Sequence, residues 1–267
     1  MLNSRRAAAW IGALLLSGCG GDSGQGHNVE IKFAALVGEA PFSCTQSYML
    51  GTPASMVQPR DLRLYVYDVA LVRASGEQVK VTLAEDGHFQ RANVALLDFE
   101  DRTGTCAGTL ATNTKVVGSA PEYPDYTGLH FRIGVPSELN HLDEAKQAPP
   151  LNLSGLFWSW QDGYIQLRSE WQNPTYLSWQ FLLAESIYDS PNGCKGSDSA
   201  GYTCPNSFQP IVELANFDRT QDTVKLDLAA LFQGINFQRT DWTPMDQLPS
   251  SDPTQNTNID YQPGCHS

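Results

Sequence analysis

Apolar and polar residues alternate along most of the chain, with the two-residue period of a strand. Val29-Glu30-Ile31-Lys32-Phe33 alternates, and the run from Leu62 to Val69 does so for longer, rich in β-branched and aromatic side chains. Residues 78–83 repeat the pattern after Ser75-Gly76, which predicts a hairpin with the preceding run. Further strand-like runs cover residues 94–99, 128–135, 155–170, 176–187, 211–217 and 223–226, separated by Pro and Gly clusters. Only the short run from Asp227 to Phe232 reads as a helix. The expected class is all-β: a mostly antiparallel β-sandwich with long loops and one short helix. Residues 240–267 are polar and Pro-rich, without a period, and are expected to be irregular.

The amino end reads as an export leader. Arg5 and Arg6 supply a positive start, and residues 7–16 an apolar stretch too short to span a bilayer. Leu16-Ser17-Gly18-Cys19 then presents the small pair and cysteine at which a lipoprotein signal peptidase cuts. Cys19 would carry the lipid, which anchors a protein to a membrane without spanning it. Residues 1–18 are expected to be signal peptide, 19–28 a flexible tether and 29–267 one folded domain. Gly20 stands where an aspartate retains some lipoproteins at the inner membrane. The expected location is therefore the outer membrane of a bacterial envelope, facing the periplasm.

Composition narrows the partners. The formal charge is −12, and loss of Arg5 and Arg6 with the leader would deepen it. That acidity argues against nucleic acid and against an anionic lipid surface. Six cysteines suit an oxidising compartment, where disulfides are the default. Cys19 goes to lipid. Cys194 and Cys204 bracket a Gly/Ser/Asp loop and are expected to pair, leaving Cys44 for Cys106, although spacing alone does not fix the connectivity. Cys265 is left over beside His266, and together they could offer a thiolate and an imidazole to a metal.

Two segments concentrate candidate chemistry. Residues 156–168 hold Trp158 and Trp160, followed by Gly163-Tyr164. Upstream lies Gly134-Val135-Pro136-Ser137-Glu138-Leu139-Asn140-His141-Leu142-Asp143. A neutral imidazole on a loop can bind copper or zinc, and Asp143 could orient His141 from behind. The same residues also suit a turn in which Asn and Asp bond the backbone. His88 reads as part of a hairpin turn, His130 as a structural strand residue and His27 as tether. Asp98, Glu100 and Asp101 could suggest a glycosidase pair, but read better as a solvated strand end. The chain has no HExxH, CxxC, CxxCH, GxSxG, phosphate-binding or dinucleotide motif. Zinc-protease, c-type haem, serine-hydrolase and nucleotide chemistry therefore find no support.

Taken in order, these segments resemble the MbnP-like copper-binding proteins, the four-cysteine members of the "metallo-mystery pair" system. The resemblance runs from about Val29 to Cys265. It includes Phe42-Ser43-Cys44, Leu64-Tyr65-Val66, Leu96-Leu97-Asp98-Phe99-Glu100, Tyr126-Thr127-Gly128-Leu129 and Gly134-Val135-Pro136. It continues through Leu139-Asn140-His141, Pro150-Leu151-Asn152, Phe157-Trp158-Ser159-Trp160, Gly163-Tyr164, Gly193-Cys194, Cys204-Pro205 and Pro263-Gly264-Cys265.

The resemblance implies a periplasm-facing protein that binds copper, as Cu(I), and is the substrate of an enzyme rather than an enzyme itself. The implied partner is a di-haem MauG-like cytochrome c peroxidase that oxidises a tryptophan, here Trp158 or Trp160, to kynurenine. His141 is the implied ligand, with Trp158, Trp160 and His266 as further metal candidates. The chain departs from the pattern at Tyr188, near the place of a usual His, and at His266, where relatives carry Met. The alternatives are a non-metal interaction lipoprotein and a carbohydrate-binding β-sandwich that stacks sugars on Trp158, Trp160 and Trp171.

Overall fold

The computed structural model describes residues 26–159, 163–173, 178–184, 195–197, 201–203, 209–238 and 260–263. In chain order, β1 (His27–Val37) turns through Gly38 into β2 (Ala40–Pro41). A hairpin follows, of β3 (Tyr48–Leu50) and the start of β4 (Ser55–Arg73). β5 (Gln78–Lys80) folds back on the far end of β4, as the Ser75-Gly76 turn predicts. The expected run over 78–83 then divides at Val81, and β6 (Thr82–Leu83) crosses to the other sheet. Next come β7 (Gln90–Arg91), β8 (Val94–Asp98), β9 (Lys115–Ala120) and β10 (Tyr126–Ile133). α1 (Ser137–Asn140), a helical turn beyond the one helix expected, leads towards β11 (Phe157–Ser159) and β12 (Gly163–Gln172). The expected strand over 155–170 is thus two antiparallel strands, with Gly163 at φ +74 where β12 begins. β13 (Ser178–Ala184), β14 (Lys195–Ser197), β15 (Gly201–Thr203), β16 (Ile211–Ala215), β17 (Thr223–Asp227), α2 (Leu228–Leu231) and β18 (Asp260–Pro263) complete the described elements. β18 pairs with β13, so the tail contributes a strand where no periodicity announced one.

Two sheets face each other, and their order matches the expected sandwich. The smaller runs β17-β1-β9-β6, with β17 parallel to β1 and β2 paired beside it. The larger runs β16-β10-β4-β12-β13-β18, with β3, β5 and β8 also on β4. Between them pack Val29, Ile31, Val116 and Leu83 from one side and Leu64, Val66, Leu71, Leu97, Leu129 and Phe131 from the other. Phe33 meets Phe131 edge-on at 5.6 Å across this layer. A second cluster closes one end, where Trp171, fully buried, is ringed edge-on by Phe42, Tyr48 and Phe232.

The third cluster positions the site. Alternation along β4 points Tyr65 away from the sandwich core, where a half-exposed face would be expected. Instead Tyr65 is fully buried, because the segment from Val135 to Leu156 folds over that face. Leu96, Val135, Leu151, Leu156, Tyr164 and Ile165 pack with it. Along one edge of β4, β12 covers residues as far as Leu64 and β10 begins at Val66. At this seam the Gly134 N–H donates to the Tyr65 carbonyl at 2.8 Å and the chain leaves the sheet.

Cys44 and Cys106 form a disulfide, as expected, and both are buried. Gly104, at φ +53, lies so close that a Cβ there would come within 2.1 Å of the Cys44 carbonyl oxygen. Cys194 and Cys204 lie outside the described residues. The bond joins positions 62 apart, and closing a loop of that length is worth about 4 kcal/mol of unfolded-chain entropy. The double variant Cys44→Ala, Cys106→Ala should lose about that much in urea unfolding.

Candidate functional site

His141 is placed by the turn before it. Pro136, extended, cannot donate a backbone N–H and starts α1, whose single turn ends as the His141 N–H donates to Leu139 O. The last helical residue, Asn140, is fully buried, and His141 itself is 8% exposed. The Asn140 Oδ1 accepts the Tyr164 N–H at 2.9 Å, which fixes which end of the amide faces which way. Its Nδ2 therefore lies 3.4 Å from His141 Nε2. An amide nitrogen only donates, so it bonds Nε2 where that ring nitrogen is unprotonated.

Gly163 lets this happen. A Cβ on Gly163 would sit 2.5 Å from Asn140 Nδ2, and its φ of +74 is costly for any side chain. The amide of Asn140 thus lies flat against the start of β12, pinning α1 to the hairpin that bears the tryptophans. Asp143, expected behind His141, is elsewhere. Its Oδ1 caps the 3-10 turn over Glu144–Lys146 by accepting the Ala145 N–H, and the Lys146 ammonium at 2.9 Å holds its carboxyl below the usual range. Asn140 lies within hydrogen-bonding reach of the imidazole, and its place beside His141 was the signal the sequence carried.

Trp158 lies in β11, 41% exposed, and Leu142, next to His141, is 42% exposed. Phe157 pairs with Tyr164 and stacks edge-on against it at 4.9 Å; Tyr164 meets Tyr65 at 5.8 Å. Both phenols donate to neighbouring backbone carbonyls, Tyr65 to Pro150 at 2.9 Å and Tyr164 to Leu151. Burial pushes both phenols above their ordinary pKa. Deeper at the seam, Gln166 is fully buried against Gly134, with neither amide atom hydrogen-bonded.

A buried charge cluster lies beneath the approach to Trp158. Arg63 donates from Nε to Asp61 Oδ1 at 2.8 Å and from Nη2 to the other oxygen. Arg168 reaches Asp61 at 3.2 Å, Glu170 at 2.7 Å through Nε, and the Gly155 carbonyl through Nη1. A Cβ on Gly155 would be 3.6 Å from both guanidinium groups, so this glycine rests on the pair. Gly155 belongs to the 3-10 turn Ser154–Leu156 that runs directly into β11. The charged residues of β4 and β12 therefore hold the stem of the tryptophan hairpin.

Asp98 and Glu100 correct the expectation of a solvated strand end, because both are fully buried or nearly so. Glu100 accepts backbone N–H groups from Arg102 and Gly108 at 3.1 Å each and from Thr109. Burial, with the Glu100 carboxylate beside it, pushes the Asp98 carboxyl up to about 7. Burial opposes the charge on Arg63, but Asp61, Asp98 and Glu100 outweigh it and hold its pKa above the ordinary value. These groups order a loop and a strand.

Other expectations fall out plainly. His130 is buried and structural, 3.3 Å from Gln78 and 3.5 Å from Glu213, while His88 sits in a turn capped by Asp86. Trp171 is at the centre of a core cluster, so it cannot stack on a sugar, and the three-tryptophan platform is ruled out. Trp160, His266, Tyr188, Cys265 and Cys19 lie outside the described residues. Among the described residues no group of three or more His, Cys, Asp or Glu side chains could hold a metal.

Comparison with known proteins gives two findings. A family model described as MbnP matches residues 26–251. Among solved structures, MbnP from Methylosinus trichosporium superposes with a TM-score of 0.68 at 30% sequence identity, over 79% of this chain and 78% of that one. A comparison with curated proteins returns no significant match.

Asn140→Ala leaves the buried Tyr164 N–H without its acceptor and should cost about 1–3 kcal/mol. Gly163→Ala should cost at least as much and shift the His141 imidazole resonances in NMR, because the new methyl displaces Asn140. For Asp98 the folded pKa lies above the ordinary 3.8, so its contribution is full below that value and lost as pH rises through about 7. The urea midpoint should therefore fall between about pH 4 and 7, and Asp98→Asn should remove that part of the slope.

Proposed function

The chain belongs to the MbnP family, and from that premise we propose that it is a copper-binding protein of the bacterial envelope. It is held to the membrane through lipid on Cys19, and its Trp158 or Trp160 is oxidised to kynurenine by a di-haem MauG-like cytochrome c peroxidase. It is the substrate of that enzyme. The observation that carries the reading is the tie between His141 and the tryptophan hairpin: the Asn140 side chain lies 3.4 Å from the imidazole and accepts the N–H of Tyr164 in β12.

The donor set fits this reading. The intact residues described around His141 supply a single imidazole as conventional ligand, too little for a tight site by themselves. Kynurenine adds an aryl ketone and a primary aromatic amine within the same hairpin. Copper held there would take the His141 imidazole and those new donors, a nitrogen-rich set with which copper forms stable bonds. The conversion breaks the indole C2–C3 bond and places an oxygen on each carbon. Two equivalents of hydrogen peroxide supply the four oxidising equivalents, each giving one oxygen atom and leaving the other as water, and hydrolysis of the resulting N-formyl group then releases C2 as formate. Trp158 and Leu142, both exposed, offer a partner apolar footing, and the Arg168–Gly155 contact holds the stem of the hairpin steady.

Peptide mass spectrometry across residues 158–168, on protein produced with and without the di-haem partner, tests the reading. The kynurenine mass change should appear only with an active partner. The modified protein should bind one equivalent of Cu(I), and His141→Ala should abolish that binding without preventing the modification. Unmodified tryptophans in the presence of an active partner would sink it.

A further inference from the structure

Two of the four methionines in the chain, Met49 and Met56, stand directly opposite each other on the β3–β4 hairpin. Both are exposed, at 58% and 54%, while their strand neighbours Tyr48, Leu50 and Val57 are buried. Facing residues of an antiparallel pair project to the same side with Cβ atoms about 4.5–5.5 Å apart. A methionine side chain is long and flexible, so two thioether sulfurs starting from that separation can close on one ion. The inner packing asks for neither side chain, since both lie on the outer face.

The backbone under the pair is held firmly. Gly51, at φ +79, is packed so closely that a Cβ would come within 2.2 Å of the Ile235 carbonyl oxygen. Thr52 donates its N–H to Ile235 O at 2.8 Å and its hydroxyl to Gln233 O at 2.6 Å. Tyr48 donates its hydroxyl to Pro41 O at 2.8 Å. Binding would therefore order only two side chains, which keeps its entropic cost small.

The surroundings set the metal type. Further along this face Gln58 donates to Ser47, Gln172 donates to Gln58, and Arg60 donates to Gln172. These contacts form a neutral-to-cationic row without a carboxylate. Calcium and magnesium require oxygen ligands, whereas thioethers select soft ions.

We propose that Met49 and Met56 form a thioether site for a soft monovalent cation, Cu(I) foremost, on the outer face of the β3–β4 hairpin. It is separate from the His141 site. Met56 lies nine positions before Tyr65 on β4, roughly 30 Å of strand. It stands whether or not His141 binds copper. Two thioethers hold such an ion loosely, so the pair suits the capture and release of an ion rather than its storage. Oxidation of either sulfur to the sulfoxide would remove the site.

The test uses the full chain labelled with 13C at the methionine methyls, kept anaerobic. Ag(I) serves as a redox-inert probe, and Cu(I) is supplied as its acetonitrile complex, a weak competitor suited to a loose site. The Met49 and Met56 methyl resonances should shift together and saturate at one equivalent of Ag(I), remain in place with Zn(II), and behave identically in His141→Ala. The double variant Met49→Leu, Met56→Leu keeps size and apolarity and should lose one equivalent of Cu(I) uptake. Each single variant should weaken that equivalent at least tenfold. Methyl resonances that ignore Ag(I), or move equally with Zn(II), would overturn the proposal. So would undiminished Cu(I) uptake by the double variant. The mass-spectrometric outcome at residues 158–168 is independent of all of these, so failure here and failure of the tryptophan reading are told apart.

Discussion

A strand of nineteen residues carries more backbone donors and acceptors than one neighbour can satisfy, and β4 is such a strand. One of its edges is shared by β12 and β10, the other by β3, β8 and β5. The handover between β12 and β10 leaves a seam near Tyr65. There Gly134 takes over the backbone bond and sends the chain out of the sheet. Everything at the candidate site descends from that exit: α1, the buried Asn140, the imidazole after it, and the cover over Tyr65. The site occupies a discontinuity that the sheet must have in order to seat so many neighbours on one strand.

Buried charge normally weakens a fold unless every partner is supplied. Here Asp61, Arg63, Arg168 and Glu170 satisfy one another across β4 and β12, and Glu100 is satisfied by backbone donors. A bond from Arg168 to the Gly155 carbonyl ties the cluster to the stem of the tryptophan hairpin. The hairpin stem is thus attached to the best-satisfied part of the large sheet. That arrangement presents an exposed indole on a support that does not itself need to move.

Much of this was legible in the residues. The alternation of β1, β4, β8 and β10 marked the strands, Ser75-Gly76 marked a turn, and the collinear motifs marked the family. What escaped notice depended on partners far along the chain. Asp98 and Glu100 look like surface carboxylates because nothing nearby in sequence shows that the 102–109 loop will wrap Glu100 with N–H groups. Asp143 looked like the support for His141 because it is two residues away, yet a helical turn carries it off and brings in Asn140. Trp171 looked like a candidate platform until Phe42, Tyr48 and Phe232 closed around it. The β18 strand has no apolar period because its pairing runs through backbone groups, which every sequence possesses.

The pairing of β1 with β17 also says something about the order in which the molecule can be made. β1 lies near the amino end, yet one of its two long neighbours in the small sheet is a parallel strand almost two hundred positions later. The hairpin at Gly51 and Thr52 is buttressed by carbonyls of Gln233 and Ile235, and Trp171 is sealed by Phe232. Contacts between such distant parts of a chain form slowly, because the intervening loop must close first. A nascent chain that has emerged only to Ala215 therefore has its large sheet largely specified but its small sheet open along one side. Any factor that holds the chain extended has until the emergence of residues 223–237 to act, and those few residues decide when the molecule shuts.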